Sequence, residues 1–207
     1  MVQSQHTETG SNSGHSVDEQ KVSLSETFGG RSVIREILET ILLTVIIVLV
    51  VKTVTGQFEV RGSSMEPSLH DGQYLIIGKL AYWFQTPARG EVIIFHPPTH
   101  PYEDYIKRVV GLPGETVEIR SGQIYIDGAQ LQEPYITNLG GYSGEWVLED
   151  KDYFVLGDNR RNSSDSHTWG VLPSDNIVGK SWVCYWPPEH WGLTQHHDFA
   201  PPEASAE

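Results

Sequence analysis

From Val33 to Val54 the chain reads VIREILETILLTVIIVLVVKTV, and Ile41–Val51 within it carries no charge. A run this apolar dictates its own surroundings. Wound as a helix, the fifteen residues Ile37–Val51 would rise only about 22 Å, short of a hydrocarbon core of roughly 30 Å, whereas Val33–Val54 would span it. The longer span requires Arg35, Glu36 and Lys52 to reach the interfaces at its ends, and it puts Arg35 and Glu39 one turn apart, where they can pair. A cleaved signal peptide fits less well, because a long polar tail precedes the run and no small-x-small site follows in VVKTVTGQFEV. A buried core helix would be expected to keep a polar face, and this one has none. The reading is a single membrane anchor over residues 31–55. Its flanks are nearly balanced: three Lys or Arg in the twenty residues before Ile37 against two in the twenty after Val51.

The segments on either side differ in kind. Met1–Gly30 is rich in Ser, Thr, Gly, Gln and Glu and almost empty of large apolar residues, which predicts a disordered tail. Beyond the anchor the pattern turns to short runs rich in β-branched and aromatic residues: QYLIIGKL, EVIIFH, YIKRVVG, TVEIR, QIYIDG, YFVLGD and IVGKSWVCYW. Ser121-Gly122 joins two of them at hairpin spacing. No stretch after Thr55 shows a helical period. The fold class is therefore mostly β, one domain over residues 56–192 with a single N-terminal transmembrane helix and a frayed polar tail over 193–207. With 27 acids against 14 bases the formal charge is -13, which repels phosphate backbones and speaks against nucleic acid as a partner. The single cysteine, Cys184, excludes an intramolecular disulfide, and its neighbours Val183, Tyr185 and Trp186 suit a small buried hydrophobe.

The first polar loop after the anchor is RGSSMEPSL, Arg61–Leu69. A serine there can attack a carbonyl only if a base takes its proton. Nine histidines are available, but none sits with an aspartate in a triad pattern, and the two prolines between His96 and His100 forbid the helix that would bring those two together on a metal. Lysine is the other candidate. In DYIKRVVGLPGETV, Lys107 and Arg108 are adjacent on a strand, so alternation sends one inward or into a cleft and the other to solvent. A lysine near its ordinary pKa of about 10.4 is a poor base at pH 8, and only burial can make it a good one. A third stretch, GDNRRNSSDSHTWG at Gly157–Gly170, has the polar density of a tight hydrogen-bonded loop and can supply a group that orients a neutral amine.

Taken together these segments resemble the bacterial type I signal peptidases, membrane-anchored proteases that use a serine and a lysine. The likeness rests on GSSMEPSL, RGEVIIF, YIKRVVGLPGE and GDNRRNSSDSHTWG, which occur in the family's order behind an anchor and cover about Arg31–Pro187. The resemblance implies a signal-peptidase-like β domain with Ser64, not Ser63, as nucleophile and Lys107 as general base. It also implies that Ser163 hydrogen-bonds the lysine and that Asp165 supports it. Many members have a serine where this chain has Gly62, so the oxyanion would depend on backbone amides, chiefly that of Ser64. Where the last motif commonly has Asp, Arg and Tyr, this chain has Arg161, His167 and Thr168. A histidine pairs with Asp165 as an ion only when protonated, which predicts a looser loop in alkali.

By the same resemblance the substrates are secretory pre-proteins, cut after a small residue of an Ala-x-Ala-like site through an acyl-enzyme, with apolar pockets near Ser64 and QYLIIG. No metal and no cofactor is implied. The expected location is the cytoplasmic membrane, tail inside and catalytic domain outside, near the secretion translocon and in contact with membrane lipid. Trp83, Phe84, Trp186 and Trp191 would lie at the interface beside the anchor, and Trp169 and Trp182 in the core. Two rivals stand against this reading. A cytosolic Ser/Lys protease that cleaves itself or a repressor would need a regulatory module and no anchor. A tethered β-domain that binds peptides or envelope components without chemistry would not need Ser64, Lys107 and Ser163 together.

Overall fold

The computed structural model describes residues 30–197 and 199. The tail expected over Met1–Gly30 therefore lies outside the described residues except for Gly30, which begins the helix. The chain divides into two units, one ending at Thr44 and the other beginning at Val45.

Helix α1 runs Gly30–Val54, and its apolar part, Val33–Val54, has a mean hydropathy of 2.5 with none of that surface covered by protein. It is long and apolar enough to cross a membrane. Its few polar groups are satisfied along the helix itself: Arg35 Nε donates to Glu39 Oε1 at 2.6 Å, and Thr40, Thr44 and Thr53 each donate to the carbonyl four residues back at 2.8 Å. That self-sufficiency is what hydrocarbon demands of a helix.

The chain leaves α1 directly into β1 (Thr55–Glu59), the edge of a sheet ordered β1-β2-β11-β3-β4-β9-β10, in which β2 is Tyr74–Gly78, β3 Val92–Phe95, β4 Tyr105–Gly111, β9 Asp152–Leu156, β10 Leu172–Pro173 and β11 Ile177–Trp186. An eighth strand, β12 (Gly192–Leu193), pairs with β11. A second sheet, ordered β7-β6-β5-β8, is built from β5 (Thr116–Arg120), β6 (Gln123–Ile126), β7 (Ala129–Gln130) and β8 (Gly144–Val147). All the pairings are antiparallel. At the turn from β5 to β6, Ser121 and Gly122 both have positive φ, 47° and 84°, as a two-residue hairpin requires. Among the described residues after Thr55 there is one short α-helix, α2 at Ser166–Trp169, held by Asp165 as its N-cap, besides three single turns of 3-10 helix.

Strand β4 positions the site. It lies between β3 and β9, with Lys107 opposite Ile93 and Arg108 opposite Leu156. Its even residues feed two apolar clusters: Ile106 packs with Val60, Met65, Leu75 and Ile94, while Val110 packs with Val117, Phe154 and Leu156. Val109, on the other face, packs with Ile93, Phe95, Tyr153 and Val155. Both faces are covered, so the expectation that either Lys107 or Arg108 would meet solvent is wrong. Lys107 is 4% exposed and Arg108 0%.

Three further expectations need correction. The segment after Gly192, read as a frayed tail, packs on the domain through Thr194–His197: Thr194 Oγ1 bonds Ser181 Oγ at 2.7 Å, the Gln195 carbonyl accepts from Arg108 at 3.0 Å, and the His197 amide donates to Gly90 O at 3.2 Å. Burial pushes the His196 ring down to about pKa 4, so it stays neutral and accepts the Val92 amide at 3.1 Å. Trp182 is 56% exposed and not in the core, whereas Trp169 does pack beside Phe95, as expected, and Cys184 is buried among aliphatic residues. The exposed aromatics do not form one group. Trp83 and Phe84 follow the Gly78 end of β2, where Thr55 pairs, while Trp186 pairs with Tyr74 at its other end, about 13 Å along the strand.

Candidate active site

The serine loop is shaped by one left-handed residue and two buried ones. Gly62 has φ +80° and its amide donates to Asp71 Oδ1 at 2.6 Å, turning the chain sharply after β1. Met65, fully buried, and Leu69 then plug the loop into the core, closing it with a Leu69 amide to Met65 carbonyl bond of 2.9 Å. Ser64 sits between the turn and the plug.

The polar loop after β9 grips this turn from the other side. Asn159 donates its backbone amide to Ser64 O at 3.0 Å and its side-chain amide to Ser63 O at 3.1 Å, and Asn162 Nδ2 donates to Ser63 Oγ at 2.7 Å. A β-carbon on Gly157 would run into Ser163 and the Ser64 carbonyl, so only glycine lets the two loops approach this closely. Sequence reading had not singled out Asn159 and Asn162. Their positions within the GDNRRNSS run were the available signal, since amides at that density in a loop imply backbone partners.

Lys107 reaches the serine from β4. Its Nζ is 2.7 Å from Ser64 Oγ and donates to the Ile106 carbonyl at 2.8 Å, with the Tyr105 ring centroid 5.6 Å away. No carboxylate among the described residues touches it. Burial pushes its pKa down to about 8, against the fields of Asp165 and Asp158, which pull it up. A neutral amine in this position keeps a proton for Ile106 O and turns its lone pair to the serine hydroxyl. Both candidate catalytic residues are thus brought together, as the sequence reading expected.

The supporting residues fall out unevenly. Asp165 is fully buried, accepting from the Gly157 amide at 2.9 Å and from His167 Nδ1 at 2.6 Å. The contact does not by itself fix the charge on His167, because a neutral imidazole with its proton on Nδ1 can also donate to the carboxylate. Ser163 does not hydrogen-bond Lys107; its hydroxyl is buried and has no partner among the described residues. Ser63 acts as a handle for Asn159 and Asn162 and does not reach the lysine. The Gly62 amide is committed to Asp71, while the Ser64 amide has no hydrogen-bond partner among the described residues.

Arg108, on the opposite face, takes no part in this chemistry. It forms a two-pronged pair with Asp158 at 2.9 and 2.7 Å and donates to Gly90 O, which fixes β4 against the loop after β9. The site opens into a cleft of about 750 Å³ lined by Gln57–Glu59, Arg61, Ser64, Tyr102–Lys107 and Ser164. Its walls come from β1 and the segment entering β4, not from QYLIIG, and they carry Glu59, Arg61, Glu103 and Asp104 where apolar pockets were expected. Among the described residues no group of three or more His, Cys, Asp or Glu is placed to hold a metal.

Comparison with known proteins meets this geometry from another direction. Residues 34–186 match the family model described as signal peptidase, peptidase S26. The chain is similar to the probable signal peptidase I-1 of Synechocystis sp., 41% identical over 69% of this chain and 76% of that one. It is 39% identical to signal peptidase I of Leptolyngbya laminosa over 78% of this chain and 84% of that one, and 33% identical to signal peptidase IB of Staphylococcus aureus over 69% and 84%.

Proposed function

Because this chain belongs to the signal peptidase family, peptidase S26, and is a type I signal peptidase, a serine endopeptidase acting on the signal peptides of secreted pre-proteins, we propose that Ser64 is its nucleophile and Lys107 its general base. The observation that carries this reading is the 2.7 Å contact between Lys107 Nζ, buried and without a carboxylate partner among the described residues, and Ser64 Oγ. The neutral amine takes the serine proton as Oγ attacks the scissile carbonyl, and the oxyanion forms against the Ser64 amide. Lys107 then gives that proton to the departing amine, leaving an acyl-enzyme. A water deprotonated by the same lysine frees the signal peptide and restores Ser64.

The cleft supports an extended peptide along β1, whose outer edge has no strand partner among the described residues. Cleavage after the small residue of an Ala-x-Ala-like site follows from the family likeness. We also place α1 across the cytoplasmic membrane with the N-terminus inside and the β domain on the outer face, next to the translocon that delivers the substrates. Trp83 and Phe84, exposed beyond the β2 end that adjoins Thr55, suit contact with the lipid interface.

Incubating the purified full-length protein in detergent micelles with a pre-protein bearing an Ala-x-Ala site, beside Ser64→Ala, tests the assignment. Cut at that site by the parent and not by the variant is the expected result. Equal cutting by both would remove Ser64 from the mechanism.

A further inference from the structure

The segment between β3 and β4, HPPTHPYED at His96–Asp104, supplies part of one wall of the Ser64 cleft, and it is built to hold still. Pro97, Pro98 and Pro101 fix φ within it. Its base is latched twice to the residue before β11: the His96 amide donates to Asn176 O and Asn176 Nδ2 donates to His96 O, both at 2.9 Å. Two successive turns follow, closed by the His100 amide on Pro97 O at 3.0 Å and the Glu103 amide on His100 O at 3.1 Å. His96 Nδ1, 3.1 Å from Asp104 Oδ1, ties the two ends together. On this frame stands Tyr102, 99% exposed. Of the three aromatic side chains that line the cleft, Phe58 packs against the cluster of Val60, Met65 and Leu75, and Tyr105 against Phe95. Tyr102 has no such partner among the described residues, so the fold draws little stability from it. A large ring on a fixed loop beside a reactive serine is placed for a ligand.

We propose that Tyr102 is a substrate-binding residue whose ring closes on the main chain of the extended pre-protein segment along β1 and holds it in the cleft while Ser64 attacks. This role rests on the same cleft being where Ser64 and Lys107 cut. A tyrosine fixes only two torsions on docking and buries a broad face, so it binds at low entropic cost. Every residue of an extended chain offers it a peptide plane, which makes the grip independent of the substrate's side chains. The charges that line the cleft are poor substitutes. Arg61 is held by Glu59 at 2.8 Å and Asp104 faces His96. Glu103 has no ion partner among the described residues, but its carboxylate is exposed, and water and salt weaken any pair it forms with a substrate.

The test uses the full-length protein in micelles and two pre-proteins that share an Ala-x-Ala site but carry opposite charges on the residues flanking it. Tyr102→Ala should raise KM about tenfold for both substrates, with kcat and the thermal midpoint close to the parent's, and Tyr102→Phe should restore the parent KM. Glu103→Gln and Arg61→Gln should each change KM by about threefold or less. In a Ser64→Ala background, photoreactive p-benzoylphenylalanine in place of Tyr102 should crosslink to the uncut pre-protein. An unaltered KM in Tyr102→Ala, a larger rise in Glu103→Gln or Arg61→Gln, or the absence of a crosslink would overturn the proposal while leaving Ser64 and Lys107 in their roles. If Ser64→Ala itself cut the pre-protein, the assignment of the site would fall, and this inference with it.

Discussion

The two faces of β4 bury one cation each and treat it in opposite ways. Arg108 is surrounded by acceptors: both oxygens of Asp158, the carbonyls of Gly90 and Gln195, and the Tyr135 ring 4.5 Å away. Lys107, one residue earlier, has a hydroxyl and a single carbonyl. Arginine keeps its charge in any protein environment, so burying it obliges the fold to build a complete set of partners. Lysine can give the charge up, and a fold that withholds the partners forces it to. The structural cation and the chemical one are distinguished by what surrounds them, not by how deeply they are buried.

The comparison predicts that the faces fail differently. On the Lys107 side, Lys107→Met should lower kcat about 10⁴-fold or more while the protein becomes more stable. With a folded-state pKa near 8 against an ordinary 10.5, retaining a buried lysine costs about 3 kcal/mol below pH 8. The unfolded chain keeps its proton up to about pH 10.5, so that cost falls away between pH 8 and 10.5, and the stability gain of the methionine variant should shrink over the same window. Denaturant titrations at pH 7 and pH 10 check both signs. On the Arg108 side, Asp158→Ala should cost about 3–5 kcal/mol of stability by stranding a buried charge, measured in the same way. Equal stability losses on the two faces would erase the distinction.

Smaller effects sharpen it. Asn162→Ala removes the brace on Ser63 at a largely exposed site, and a drop in kcat of about tenfold with unchanged KM and stability is expected from a looser serine. Gly62→Ser places a side chain at φ +80°, where there is room but the backbone is strained, so a loss of about 1 kcal/mol in stability and no gain in rate should be seen by thermal unfolding and initial-rate assays. A rate increase would mean that the serine hydroxyl reaches the oxyanion.

Much of the site was legible in the sequence because its chemistry sits in short contiguous runs. RGSSMEPSL and YIKR carry Ser64 and Lys107, and strand alternation alone is enough to ask whether the lysine is buried. Arg108 was misjudged because alternation assumes one face in solvent, and nothing local shows that β4 is covered on both. The segment after Gly192 looked frayed because it is short and polar, and the partners that hold it, Ser181, Val92, Gly90 and Arg108, are distant in sequence, so nothing local marks the packing. β1 was missed for a related reason: TGQFE runs on from the helix without a turn signal, and as an edge strand with half-exposed residues it lacks a clear alternation. The charged lining of the cleft comes from β1 and from Tyr102–Asp104, segments distant in sequence that only the fold brings together.

The proposal that Lys107 works as a neutral buried amine is tested most directly by kcat/KM from pH 5 to 10 for the full-length protein in micelles. It predicts a single acid limb rising tenfold per pH unit to a midpoint near pH 8, absent any change in the fold. A profile flat from pH 6 to 10 would contradict it.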